Sequence, residues 1–292
     1  MRVDWQLLLY IVVIWIAISS ASILVLLSGA VAEACAFWRL LLSSLLILLL
    51  KYIRSRGNNR GVPRIQVHHA ISGIMLALHF ILWMESLFMI KVYVSTLLVT
   101  LYPMYALVID ALIYKHKLSK FQVTGVVMIT LLVALYLDVH ELVLETGVFY
   151  ALLAGVLCAV YFEIGSYARS RLRENALDYA FSTYLVASFY VWLYSTITGS
   201  NLYIYSISTY AYFLLLALVP MILGHTLMNY LLGKYPASLV TLISYGEPFG
   251  AGLLAFIILG QSVAPSQVLF GIVIISLIIL ISTYQGHTKG LR

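Results

Sequence analysis

Charge is what this sequence has least of: 10% of its 292 residues are Asp, Glu, Lys or Arg, while 63% are hydrophobic and the mean hydropathy is +1.02. A soluble chain is about 25% charged and about half apolar, so an ordinary water-soluble fold is excluded. Cysteine is nearly missing as well. Cys35 and Cys158 are the only two, both inside apolar stretches, so neither a disulfide framework nor a cysteine-based metal site is available. The short motifs of familiar chemistry are also lacking: no His-Glu-x-x-His, no Gly-x-Ser-x-Gly and no Gly-x-x-x-x-Gly-Lys-Ser/Thr loop. Without them the chain has no recognised zinc or serine hydrolase centre and no nucleotide loop to drive a primary pump. Lys91 and Lys234 stand at the ends of apolar stretches, which leaves no mid-span lysine for a Schiff-base light sensor. An enzyme, a cofactor and a metal are therefore not expected.

What the chain has instead is apolar length. Crossing a bilayer takes about 20 apolar residues, and such stretches recur at roughly 6–28, 33–52, 68–90, 93–114, 120–138, 147–168, 178–197, 208–231, 237–259 and 265–284. The expected fold is an all-α membrane protein of ten transmembrane helices, with its softest boundary at Ser28-Gly29-Ala30. Only Arg2 precedes the first stretch and no small-residue cleavage signature ends it, so it is read as a span and not as a cleaved signal peptide. The net charge of +6 is a matter of orientation, not of nucleic acid. With the N-terminus in the cytoplasm, 15 of the 17 basic residues fall on the inner side; Lys91 falls outside and Arg39 within a span. Such a bias over short loops places both termini in the cytoplasm of a multi-pass cell-membrane protein and calls for an even number of spans.

The two halves repeat one another at an offset near 145 residues. Ser95-Thr96-Leu97-Leu98-Val99-Thr100-Leu101-Tyr102-Pro103 leads to Gly125, and Ser238-Leu239-Val240-Thr241-Leu242-Ile243-Ser244-Tyr245-Gly246-Glu247-Pro248 leads to Gly271, with Pro-to-Gly separations of 22 and 23. Trp15 and Ser20 answer Tyr161 and Ser166 at an offset of 146. Because five is odd, two five-helix units, residues 1–140 and 141–292, must face opposite ways across the bilayer. Inverted repeats place the substrate site near the midplane between the halves, around a central cavity.

Tyr235-Pro236-Ala237-Ser238, Glu247-Pro248-Phe249 and Leu259-Gly260, echoed by Tyr93-Val94-Ser95-Thr96 and Tyr102-Pro103, resemble the EamA-type unit of the drug/metabolite transporter superfamily. Phe37-Trp38-Arg39-Leu40 resembles the aromatic-Arg-Leu opening of its second helix. Gln261 stands where members of the family usually carry Glu, and position 102 has no carboxylate. The resemblance implies a ten-helix bundle with a central cavity, moving a small molecule such as an amino acid, a nucleotide sugar, a triose phosphate, choline or a drug.

Ionisable and polar groups at membrane depth are costly, which makes each a functional candidate. Glu247 leads them as the candidate for substrate binding and proton coupling. It lies beside Pro248, which strips the Ser244 carbonyl of its helical donor as Pro103 does for Val99. These two prolines are the expected helix breaks. The other substrate-binding candidates are Trp15 and Ser19 on the first span, His79 and Trp83 one turn apart on the third, His225 and Asn229 one turn apart on the eighth, and Tyr102, Tyr161 and Tyr245. Asp110 is assigned to pairing with the Lys115/Lys117 cluster, Arg39 to snorkelling or to Glu33, and Glu163 to an inner-side salt bridge, while Glu85 receives no assignment. His68-His69 is read as lying at an interface without a matching partner, and Tyr203 to Tyr212 as an interfacial aromatic belt.

The expected function is a secondary transporter of a small polar or aromatic metabolite, amino-acid-like and exported by alternating access, with proton coupling open, as a monomer or homodimer. A lipid or lipid-linked-group flippase or scramblase is the alternative, and an intramembrane enzyme a distant third.

Overall fold

The computed structural model describes residues 5–54, 62–112, 120–136 and 145–262, together with positions 265, 269, 272, 273, 276 and 277. All regular structure among the described residues is helical: α1 (Trp5–Ser28), α2 (Ala32–Arg54), α3 (Val67–Met89), α4 (Val92–Leu112), α5 (Lys120–Tyr136), α6 (Thr146–Arg171), α7 (Ala176–Thr198), α8 (Ile207–Leu231) and α9 (Ala237–Leu259). Seven of these are long and apolar enough to cross a membrane. The helix α5 has 17 residues, and α7, though 23 residues long, is less apolar because tyrosine, serine and threonine fill its buried face. The expected tenth span, 265–284, lies mostly outside the described residues; its described positions, 265, 269, 272, 273, 276 and 277, are helical.

Several helices are broken where the sequence demands it. Gly29 takes a left-handed φ of 64° and ends α1 at Ser28, which sets the boundary that was hardest to read. In α4 the regular helix stops at Val99 and resumes at Tyr102, just before Pro103. In α9 a short helix, Ala237–Thr241, tightens into a 3₁₀ turn over Leu242–Gly246 before the second half starts at Glu247 beside Pro248. Both breaks follow from the missing amide of proline. In α8, Pro220 sits within a wide π-helical stretch, Ala217–Thr226. Each π turn inserts a residue and rotates all that follows on the helix surface, so His225 and Asn229 face further round the bundle than an ideal helix would carry them.

The principal helix contacts form a pattern. They join α1 to α8 and α9, α2 to α7 and α8, α3 to α6 and α7, and α4 to α6 and α9. Within the last pair, Val92–Val99 lies on Glu247–Leu259 and Tyr102–Leu112 on Ala237–Thr241, so the two broken helices run antiparallel.

Cross-links at both ends hold the bundle. At one end the Trp38 indole donates to the Leu202 carbonyl at 2.7 Å and packs among Tyr203, Tyr210 and Phe213, while Ser200 donates to Glu33 at 2.8 Å. At the other end Lys51 pairs with Asp178, and Glu174 accepts from His68 at 2.9 Å and His69 at 2.8 Å.

Candidate functional site

Where the two broken helices meet, a small cavity of about 20 Å³ opens in the bundle, room for about one water. Ile18 and Ala21 of α1, Arg39 of α2, His79, Phe80 and Trp83 of α3, and Val99 and Tyr102 of α4 line it from the first half. Cys158 of α6, His225 of α8 and Glu247 of α9 complete it from the second. Each polar group arrives by a local cause. The break in α4 brings Val99 and Tyr102 to the wall. The restart of α9 puts Glu247 in a first helical turn, where free amides favour an anion. The π stretch rotates His225 inward.

Aromatic packing fixes the walls. His79 lies parallel to Trp83 with centroids 6.2 Å apart, and His225 stacks on Phe162 at 5.7 Å. The His79 Nδ1 donates to the Ala154 carbonyl at 2.9 Å, which locks the ring's orientation while it faces the cavity. The Arg39 guanidinium sits 4.1 Å over the Phe80 ring, a cation–π contact away from water. Arg39 is 1% exposed and Glu247 8% exposed.

Five of the sequence candidates, His79, Trp83, Tyr102, His225 and Glu247, therefore share one cavity. The other five stand outside its lining. Trp15 and Ser19 pack on the Gly246 and Gly250 backbone of α9 so closely that a Cβ at either glycine would overlap the indole nitrogen or the hydroxyl. The Gly-x-x-x-Gly spacing thus serves a close helix approach behind Glu247. Asn229 donates to the Tyr161 hydroxyl at 2.7 Å and to the Tyr184 hydroxyl at 3.2 Å, one layer from the cavity beside Phe162. Tyr245 hydrogen-bonds Thr130 at 2.7 Å within a separate apolar cluster with Leu97, Leu107, Leu239 and Leu242.

Two sequence assignments change, those of Arg39 and of His68-His69. Arg39 neither snorkels nor pairs with Glu33, whose carboxylate takes Ser200 instead; the rotation of α2 turns Arg39 into the bundle. Asp110 accepts from the Ser238 amide at 3.1 Å, capping the first short helix of α9; its expected pairing with Lys115 and Lys117 falls on residues outside those described. His68-His69 does have a partner, Glu174, brought across from the α6–α7 loop, where Arg173 turns the chain with a φ of 54°. Glu163 is buried on α6.

The ligand atoms of His68, His69 and Glu174 fall within 4.8 Å of one another, a spacing that admits a metal ion. The local hydrogen bonds oppose it. Nδ1 of His69 accepts from the Gln66 amide at 3.0 Å, closing a capping box. The ring proton must then lie on Nε2, where it is donated to Glu174 and where a metal would need a lone pair. The trio is a clasp between α3 and the α6–α7 loop. Burial pushes the Glu174 carboxyl up, but the hydrogen bonds from His69 and His68 outweigh it and hold the group below the usual carboxylate range.

Comparison with known proteins comes at two levels. The EamA-like transporter family matches residues 4–137 and 145–283. Among curated proteins none matches the chain in sequence. A solved structure described as "Crystal structure of protein" shares the fold with a TM-score of 0.74 and 16% identity, over 97% of this chain and 99% of the other.

Proposed function

The chain belongs to the EamA-like transporter family, and from that premise we propose that it is a secondary transporter carrying a small polar or aromatic, amino-acid-like metabolite outward across the cell membrane by alternating access. Membership makes it a multi-pass membrane transporter of small molecules. The observation that carries the finer reading is the cavity at the meeting of the two proline breaks, with walls drawn from both family-matched stretches and with Glu247 and Arg39 among them.

The helix contacts support an inverted pair of five-helix units, 1–140 and 141–292, in a ten-helix bundle. Adding or subtracting five from each label turns α3–α6 into α8–α1, α3–α7 into α8–α2 and α4–α6 into α9–α1, while α2–α7 and α4–α9 map onto themselves. A two-fold axis in the membrane plane requires a contact set that is closed under this exchange, and also requires α4 and α9 to run antiparallel. A cavity with room for a single water is the contracted stage of such a cycle. Rocking the two units apart on one side at a time widens it for a metabolite. Both termini are cytoplasmic in this arrangement, as the basic residues direct.

The lipid-scrambling alternative needs a polar groove open sideways to the bilayer. The larger open groove, about 490 Å³, is walled instead by Phe37, Ile65, Leu185, Val186, Phe189, Trp192 and Tyr203, with Ser188 its one small polar group. Acyl chains suit it and headgroups do not.

Proton coupling is assigned to Glu247, the carboxylate of the cavity. Flux of a metabolite panel into proteoliposomes containing the purified chain tests both points. Saturable flux is expected for at least one amino-acid-like member, and Glu247→Gln removes its pH dependence with expression intact. No saturable flux of any member in either direction overturns the transporter reading, and unchanged pH-dependent flux in Glu247→Gln overturns the coupling.

A further inference from the structure

The cavity wall has more hydrogen-bond donors than the protein can match. Nε and Nη1 of Arg39 and Nε1 of Trp83 are buried without an acceptor, and both residues line the cavity. Neither side chain can accept a hydrogen bond, so rotation or proton rearrangement cannot repair the deficit. The Phe80 ring beneath Arg39 balances some of its charge but offers the in-plane N–H groups no oxygen. Glu247 lines the same cavity, yet no ion pair joins Arg39 to Glu247. Burying a guanidinium with unmet donors is among the costlier arrangements in a fold. It persists where a ligand supplies the acceptors during part of the working cycle.

We propose that Arg39 anchors a ligand carboxylate in the central cavity, and that the ligand is a zwitterion whose ammonium faces Glu247. The planar guanidinium matches a carboxylate with two parallel N–H···O bonds, a geometry a lysine cannot reproduce. Trp83 supplies the third donor from the neighbouring wall. The aromatic faces of Phe80, Trp83 and Tyr102 leave an apolar side chain as the third feature of the ligand. This inference rests on the transporter reading for the existence of a ligand, and it goes further by assigning each of the ligand's charges to a named side chain.

The test uses the full-length chain purified in detergent, with thermal stabilisation by three probes: phenylalanine, phenethylamine, which lacks the carboxylate, and 3-phenylpropionate, which lacks the ammonium. Loss of a two-point charged contact weakens binding by about tenfold or more. Phenylalanine is therefore expected to stabilise the wild type at about one-tenth, or less, of the concentration either analogue requires. Arg39→Gln should erase the advantage over phenethylamine while leaving the amine's own effect within about twofold, and Arg39→Lys should keep part of it. If the glutamine variant does not fold, Arg39→Lys and the wild-type series decide. Phenethylamine acting on the wild type as strongly as phenylalanine overturns the proposal. So does a carboxylate preference that survives Arg39→Gln, or no stabilisation by any of the three probes. Flux measurements separate this outcome from the broader reading. A carrier that moves the amine as well as the amino acid keeps its transport function and loses the anchor, whereas the expected binding order without flux keeps the anchor and loses the transport function.

Discussion

The break in α4 depends on a glycine 56 positions away, and a single methyl group tests it. Pro103 has no amide to give the Val99 carbonyl, so that oxygen points out of the helix. Gly155 of α6 lies against it: a Cβ built on Gly155 would stand 2.8 Å from the Val99 oxygen. A relaxed carbon–oxygen contact is about 3.3–3.6 Å, so Gly155→Ala must push α6 and α4 apart by roughly 0.5–0.8 Å. Backbone opposes backbone here, and no flexible side chain can yield. Overpacking of this kind costs about 1–3 kcal/mol, and the better helix propensity of alanine returns at most about 1. The control is Gly252→Ala on α9, where a Cβ would meet nothing within 4 Å and the propensity gain of about 0.5–1 kcal/mol stands alone. Thermal unfolding of both variants in one detergent should place Gly155→Ala at or below wild type, by a net of about 0–2 kcal/mol, and Gly252→Ala above it by about 0.5–1 kcal/mol. Equal midpoints for the two variants would refute the close approach, and with it the account of how Val99 and Cys158, one turn beyond Gly155, reach the same cavity wall.

Two further outcomes follow from groups near the cavity and at the bundle's end. Asn229→Ala removes the donor shared by Tyr161 and Tyr184; Tyr184 keeps its 3.1 Å bond with Thr226, so the loss concentrates on buried Tyr161. A cost of about 1–3 kcal/mol is expected, read as a lower unfolding midpoint, and no change would show that the network is not stabilising. Glu174 has a folded pKa held below its unfolded value of about 4.3, so it contributes stability above that pH and loses it as pH falls through the depressed folded value. Wild type should therefore lose midpoint on acidification below about pH 4, and Glu174→Ala should start lower and show a shallower acid limb. A parallel acid limb in the variant would remove the clasp with His68 and His69 from the account.

What the sequence could reveal depended on whether the cause was local. Apolar length fixes where helices run, the missing proline amide fixes where α4 and α9 break, and left-handed Gly29 fixes where α1 ends, because each acts within a turn of itself. Glu247 was singled out for the same reason: the acid and the proline beside it are neighbours in the chain. The rotation of each helix about its own axis is another matter. One residue is worth about 100° on an α-helix, and tertiary packing chooses the angle. For Arg39 the sequence gives a position near the end of a span, and that points to the membrane edge; it does not give the facing that turns the side chain into the bundle. His225 and Asn229, read as one stripe, part company behind the π stretch at Pro220: one joins the cavity and the other ties Tyr161 to Tyr184. Tyr245 follows Ser238 in the internal repeat as Tyr102 follows Ser95, yet the 3₁₀ turn tightens its segment and hands the ring to Thr130 on α5. Glu174 could not be matched to His68-His69 by any spacing rule, since the partners are over 100 residues apart and meet only when α3 packs on α6 and α7.

The same distinction explains why the site is built around breaks. A continuous helix satisfies its own backbone and presents only side chains, so a chain of continuous spans leaves little at the midplane for a ligand to use. Two broken spans crossing antiparallel bring two irregular turns to one level, one from each family-matched stretch. One freed carbonyl, that of Val99, is covered by Gly155, and the restart of the other span presents Glu247 instead. Under the proposed repeat the matching positions differ: Tyr102 precedes Pro103 where Glu247 precedes Pro248. A symmetric pair of acids would favour a dication, whereas one acid in the same cavity as Arg39 suits the proposed ligand of both signs. The difference between the two proline breaks, an acid at one and a tyrosine at the other, is what the proposed ligand chemistry rests on.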